Sequence, residues 1–206
     1  MAIARTVPEL VAMRPFGGWR TFLADPAWRQ EMRSAKGEGK APQAKYHCMT
    51  PEEIAALPVD RIAAHDAILF VWTTAPNLAQ AIAIIPRWGF VYKSAAAWAK
   101  ESKNSGPFET DDEAHKFAFG NGYIFRSAAE FLLVATRGSP TWNDTKAARS
   151  VRNLIYAPVR EHSRKPDSQY EIVETLTIGP FLEMFSRTPR DGWDAFGDQA
   201  ETFASV

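Results

Sequence analysis

The sequence has 206 residues, 46% of them hydrophobic and 23% charged, which excludes a disordered chain and suits a single domain with a sizeable core. Lys and Arg number 24 against 24 Asp and Glu, and zero formal charge argues against a protein that coats nucleic acid by bulk charge, while leaving room for a local basic patch. One cysteine, Cys48, excludes a disulfide framework and a cysteine-based zinc site, so the expected compartment is intracellular, the cytoplasm.

The first ten residues, MAIARTVPEL, lack the apolar core of a signal peptide, and no apolar run is long enough to cross a bilayer. TFLA (21–24) reads as a short buried strand that stops at Asp25-Pro26. The polar stretch after Trp28 is rich in Gly, Lys and Arg and predicts a mobile surface loop near 29–45. Thr50 then opens a helix, with Pro51 at its first position and Glu in its first turn. DAILFVWTT (66–74) is a continuous apolar run, the pattern of a strand buried on both faces. APNLAQAIAIIPRWG predicts a helix broken near Pro86 and ended by Gly89. FVYKSAAAWAK (90–100) is the next strand, and 101–122 a second mobile loop. Residues 123–138 run from an aromatic segment into the strand EFLLVATRG. The segment 139–165 is mixed and basic, 166–176 a helix with Pro at its start, and 179–187 another buried strand. This alternation predicts an α/β fold with a mostly parallel sheet, which places ligands at the carboxyl ends of its strands. Asp25 and Arg187 both fall just past such ends.

Five groups of residues invite a chemical reading, and each has a plainer one. Asp25-Pro26-Ala27-Trp28 is turn material with a tryptophan folded back on the core. It is equally a clamp for a planar amine, in which Asp25 and the Pro26 carbonyl accept the two N–H bonds and Trp28 stacks on the ring. His162 to Asp167 is a basic loop that caps a helix. A Phe after a strand and a terminal Gly-Asp, as at Phe185 and Gly197-Asp198, are ordinarily core and turn. Gly120-Asn121-Gly122 before an aromatic strand is hairpin material. The basic cluster Arg29 to Lys45 is a solvated surface, or the path of a phosphate backbone beside the clamp. No His/Cys/Asp cluster stands at metal-ligand spacing.

Taken in order, LADPAW, YHCMTPEEIAALPV, DAILFVWTT, RWGFVYKSAAAWAK, GNGYIFRSAAEFLLVATRG, REHSRKPDSQYEIVE and GPFLEMFSRTPRDGWDAFGDQ resemble the MT-A70 family of adenine methyltransferases, typified by the eukaryotic mRNA adenosine enzyme. The resemblance spans most of residues 20–200. It implies a Rossmann-like, S-adenosylmethionine-dependent methyltransferase fold with permuted motif order, and one methyltransferase domain over 1–206. It implies catalytic roles for Asp25, Pro26 and Trp28. Cofactor contacts fall on Asp25, Lys165 (at the methionine carboxylate), Phe185, Arg187, Asp198 and Gln199, while no role is assigned to His162 or Arg164. Substrate contacts fall on Ala27, Trp28, Tyr46, Tyr123, Arg126 and Glu130. Two departures stand out. Ala27 replaces the family's second proline, which predicts a looser corner without loss of activity. Asp198 replaces an Asn, and both side chains accept from ribose hydroxyls.

The implied reaction is direct methyl transfer to the N(6) amine of adenine in nucleic acid, DNA before RNA in a compact prokaryotic or phage-type enzyme, with no metal and no covalent enzyme intermediate. A homodimer would widen the footprint of an uncharged chain. Two alternatives remain at this level: an RNA adenine or cytosine N(4) methyltransferase, and an inactive partner subunit that binds nucleic acid.

Overall fold

A computed structural model describes residues 1–29, 48–102, 117–120, 124–161 and 163–199. The expected loop 29–45 therefore lies outside the described residues except for Arg29, while of the expected loop 101–122 the described residues 101–102 and 117–120 are partly paired, Glu101 bridging to Phe117 and Gly120 to Ser127. Eight strands form one sheet: β1 (Ile3–Ala4), β2 (Trp19–Ala24), β3 (Ala63–Thr74), β4 (Val91–Glu101), β5 (Ala129–Arg137), β6 (Leu154–Pro158), β7 (Phe181–Met184) and β8 (Trp193–Phe196). Their order is β1-β8-β7-β2-β3-β5-β4-β6, and every neighbouring pair is parallel except the two that involve β5.

The central strand β3 explains the layering. Its side chains alternate, so Ala67, Leu69 and Val71 enter one core while Ile68, Phe70 and Trp72 enter the other. Burying each large side chain contributes roughly 1.5–3 kcal/mol, so five consecutive apolar residues anchor both faces at once. The first core is covered by the helices α1 (Val7–Ala12), α2 (Pro51–Ala55), α3 (Val59–Ile62) and α4 (Leu78–Ile84) through Leu10, Ile54, Val59 and Ile84. On the opposite face lies α6 (Ser168–Leu176), through Tyr170 and Val173, with α5 (Lys146–Ser150) as its neighbour. Helices thus flank both faces of a mostly parallel sheet, as the α/β reading requires.

Helix starts follow local chemistry. The Thr50 hydroxyl accepts from the Glu53 N–H at 3.2 Å, and the Glu53 carboxylate accepts from the Thr50 N–H at 2.8 Å. Thr6 and Glu9 repeat this reciprocal cap at α1. The α-helix within the expected 75–89 segment ends at Ile84, so it is broken near Pro86 as expected. Pro86 tightens the chain into a 3₁₀ turn over Ile85–Trp88, and Gly89 ends it at φ +80°.

Several segments differ from the sequence reading. The N-terminal ten residues contribute a strand and a capped helix. The mixed segment 139–165 contains α5 and the edge strand β6, and the C-terminal GWDAFGDQ contains β8. The strand expected at 179–187 is only four residues long, because Phe185 turns away with φ +63°.

Candidate active site

Strands β2 and β7 pair in parallel, but the chain leaves β2 for β3 on one side and β7 for β8 on the other. Their carboxyl ends therefore open a crevice at a topological switch point, the place where doubly wound sheets bind ligands. Asp25 is the first residue past β2, and its N–H donates to the Met184 carbonyl at 3.3 Å. The corner that follows is stitched down. The Pro26 carbonyl accepts from the Trp28 N–H at 2.8 Å, and the Ala27 carbonyl accepts from the Met49 N–H at 2.9 Å. Among the described residues, one lone pair on the Pro26 carbonyl stays available.

The Trp28 indole is not displayed to solvent as a stacking face. It is 7% exposed, packs in the first core and donates its N–H to the Trp72 carbonyl at 3.2 Å. A buried indole must place its N–H, and the end of β3 supplies the acceptor. Only part of the ring borders the adjacent cleft.

Two open clefts meet at Asp25-Pro26. The first is walled by Ala27, Ser163, Phe185, Arg187, Asp198 and Gln199. Backbone shape makes it. Ser163 at φ +61° and Phe185 at φ +63° are the two non-glycine residues with positive φ among the described residues, a conformation that costs about 1–3 kcal/mol. The surroundings hold both in place: Arg187 donates to the Ser163 carbonyl at 2.7 Å, and the Ser186 N–H donates to the Phe196 carbonyl at 3.0 Å. Gly197 lets β8 approach, since a Cβ there would lie 2.8 Å from the Ser186 carbonyl oxygen.

Below this turn, Glu183 accepts from the Ser186 hydroxyl at 2.7 Å and the Tyr170 hydroxyl at 2.9 Å. Burial pushes the Glu183 carboxyl up to about 7, against the lowering effect of those two hydrogen bonds. Burial also raises the Tyr170 hydroxyl, reinforced by the Glu183 carboxylate.

The second cleft lies on the other side of Asp25 and is walled by Pro26, Trp28, Trp72, Thr73, Thr74, Asn77, Glu130 and Lys165. Charge organises it. The Lys165 ammonium meets the two Asp25 oxygens at 2.7 and 2.8 Å and Glu130 at 3.3 Å, while Lys100 holds the other Glu130 oxygen at 2.5 Å. Burial alone would depress Lys165, but Asp25 and Glu130 outweigh it and hold the ammonium above its usual range. Burial would likewise raise Glu130, and the two lysines outweigh it and hold the carboxylate below its usual range. The alternating row Lys100–Glu130–Lys165–Asp25 is electrically balanced, which is how buried charges persist.

The structure brings Asp25, Ala27, Phe185, Arg187, Asp198 and Gln199 together around the first cleft. Glu130 and Trp28 meet at the second. Lys165, paired with two carboxylates, borders the second cleft and also an adjoining recess that it shares with Asp25, Phe185 and Arg187. Arg126 is exposed and is not among the residues that line either cleft. Tyr46, Tyr123 and His162 lie outside the described residues. Sequence reasoning missed Lys100, Thr74, Asn77, Ser163 and Glu183. The run WTTAPN carried one usable signal, polar side chains at the end of an otherwise apolar strand. The lysine–glutamate row carried none, because its members are far apart in the chain.

Such a fold and site define an α/β enzyme with two ligand clefts sharing one carboxylate. Residues 19–199 match the MT-A70 family model, and the chain belongs to this family. Membership places it among the adenine N(6) methyltransferases. It is 30% identical to the type II methyltransferase M.MunI of a Mycoplasma species, covering 92% of this chain and 81% of that one. Human N(6)-adenine-specific methyltransferase METTL4 is 24% identical over 96% of this chain and 42% of its own length. The human N(6)-adenosine-methyltransferase catalytic subunit METTL3 is 24% identical over 90% of this chain and 29% of its own. This chain thus spans most of the bacterial relative and well under half of the human ones.

Proposed function

We propose that the protein takes its methyl group from S-adenosylmethionine and places it on the N(6) amine of adenine in DNA. The observation that carries this reading is the position of Asp25 and Pro26, which wall two clefts of complementary character. The first cleft fits the cofactor: the Arg187 guanidinium suits a carboxylate, Asp25 and Asp198 suit an ammonium and a ribose diol, and Phe185 and Gln199 suit an adenine face and edge. The second is narrow, bordered by indoles and rich in acceptors, as a planar amine-bearing base demands.

When bound, the cofactor supplies an electrophilic methyl group on a sulfonium sulfur. Asp25 accepts one hydrogen of the amine, and the free lone pair of the Pro26 carbonyl accepts the other. Drawing these hydrogens out of the ring plane localises the nitrogen lone pair on the methyl side. Lys165 fixes the Asp25 carboxylate while leaving some of its four lone-pair directions for the amine. With the methyl group supplied from the bound cofactor, Asp25 would be placed to receive the proton that the amine loses. Orientation and fixed charge supply the acceleration.

DNA is favoured over RNA because the match to a type II methyltransferase covers most of both chains, whereas the N(6)-adenosine-methyltransferase is covered over less than a third. A homodimer would widen the contact surface of a chain with zero net charge. Transfer of labelled methyl from S-adenosylmethionine to adenine-containing DNA and RNA, with Asp25→Ala alongside, tests the reading. Label on adenine that disappears in the variant is expected. Cofactor binding without transfer to either polymer would overturn it.

A further inference from the structure

Asn77 sits at the start of α4, where an Asn ordinarily caps the helix by accepting from a backbone N–H. Here its side chain makes no capping bond. The residue is 5% exposed, and its amide nitrogen is buried with no hydrogen-bond partner among the described residues. The hydroxyl of Thr74, three residues earlier, is the other buried side-chain atom in this condition. Buried polar groups are almost always satisfied, and an orphan calls for a partner that arrives later. Both orphans line the cleft shared by Asp25, Pro26 and Trp28. A helix cap, the usual reason for Asn at this place, is therefore not what the residue provides.

We propose that Asn77, with Thr74 beside it, reads the ring edge of the acceptor base next to its amine. This rests on the function proposed above and adds how the base is chosen. Asp25 presents an acceptor to the amine, and the Asn77 amide presents a donor nearby. An acceptor beside a donor complements an amine beside an unprotonated ring nitrogen. Adenine has such a nitrogen on each side of its amine, N1 and N7. Guanine and hypoxanthine reverse the pattern, with a carbonyl oxygen beside a ring N–H, and would leave Asp25 facing an oxygen. A site built to hydrogen-bond a substrate rejects analogues that leave its buried groups unpaired. Thr74 can donate or accept, and it completes the edge contact on the strand side.

The test uses an adenine-containing oligodeoxynucleotide pool and the same pool with 1-deazaadenine or 7-deazaadenine in place of adenine. Methyl transfer by the full chain is compared with that of Asn77→Ala and Asn77→Asp, and cofactor affinity is measured in parallel. Both variants are expected to lose roughly 10- to 100-fold in kcat/KM on adenine, as for one lost substrate hydrogen bond, with cofactor affinity unchanged. The wild type should lose a similar factor on one of the two deaza pools, and Asn77→Ala should lose nothing further on that pool. That pool also names the nitrogen. Full activity in Asn77→Asp, additive losses for substitution and deaza base, or a matching fall in cofactor affinity would overturn the assignment. If the wild type methylates no adenine at all, the parent function fails and this inference with it.

Discussion

The two clefts that meet at Asp25 are built by different means. On the Phe185 side, position is stored in the backbone: two non-glycine residues at positive φ, a glycine that admits β8, and half-exposed polar groups at the rim. On the Lys165 side, position is stored in charge, as four ionic groups in alternating sign, Glu130 and Lys165 buried and Lys100 and Asp25 partly exposed. A shaped backbone tolerates a long ligand with several modest contacts. An ionic row fixes one carboxylate to within a hydrogen bond, which is what chemistry at a single nitrogen requires.

The contrast can be broken at its shared residue first. Asp25→Asn keeps shape and removes the acceptor charge, and is expected to lower kcat at least about 10³-fold, about 4 kcal/mol, while weakening cofactor binding only by the smaller amount of one contact at the ammonium. Single-turnover methyl transfer and calorimetry measure the two separately. A parallel collapse in cofactor affinity would mean that the clefts are not distinct. Next comes Lys165→Met, which leaves the partly exposed Asp25 without its ammonium and Glu130 with Lys100 alone, and should destabilise the fold by about 1–3 kcal/mol in urea unfolding. Adding Asp25→Asn to that variant should restore part of the loss, because one orphaned charge is removed.

Glu183, under the backbone-built cleft, gives a pH signature. Its folded carboxyl keeps its proton to about 7, against an ordinary value of 4.5, so the folded state binds more protons between those limits. Stability from this group is complete below about 4.5 and is lost as pH rises towards 7, by about 3 kcal/mol in all. Glu183→Gln should flatten the slope of unfolding free energy across that window, and an unchanged slope would assign it elsewhere. The smallest effect belongs to Ser163→Gly, which relieves a positive φ at an exposed residue and should raise stability by about 0.5–1 kcal/mol in thermal unfolding. Lower stability there would show that the backbone at 163 is unstrained.

Much of this was legible before any coordinates. The Thr50 cap, the Gly89 stop and the doubly buried run at 66–74 each depend on neighbours in sequence, so residue type and spacing suffice. Thr6, Pro8 and Glu9 carried the same capping signature at α1 and could have been read the same way. Strands β6 and β8 are short and lean on partners far along the chain, so no local period announces them. The Asp25 corner was legible in both its readings, and the tryptophan folded back on the core is the one its packing shows, but the acceptor that fixes it was not legible. That Trp28 turns inward depends on an acceptor 44 residues away, at Trp72. The ionic row is less legible still, since Lys100, Glu130 and Lys165 come from three elements.

Strand β5 alone runs against the sheet, and in an otherwise parallel architecture this reversal has a consequence. Ligand sites of parallel sheets draw on residues where strands finish, yet Glu130 stands where a strand begins, paired with Thr74 at the finish of β3. The reversal turns a strand's entrance into part of the catalytic rim, so the loop that feeds it helps set the register of a site residue. Inserting one residue at 126–128 that carried the pairing with it would turn Glu130 to the opposite face of the sheet and leave Lys100 and Lys165 facing an apolar neighbour. Length variation in this family should therefore be tolerated just beyond Arg137, at the far end of the same strand, and resisted just before Ala129.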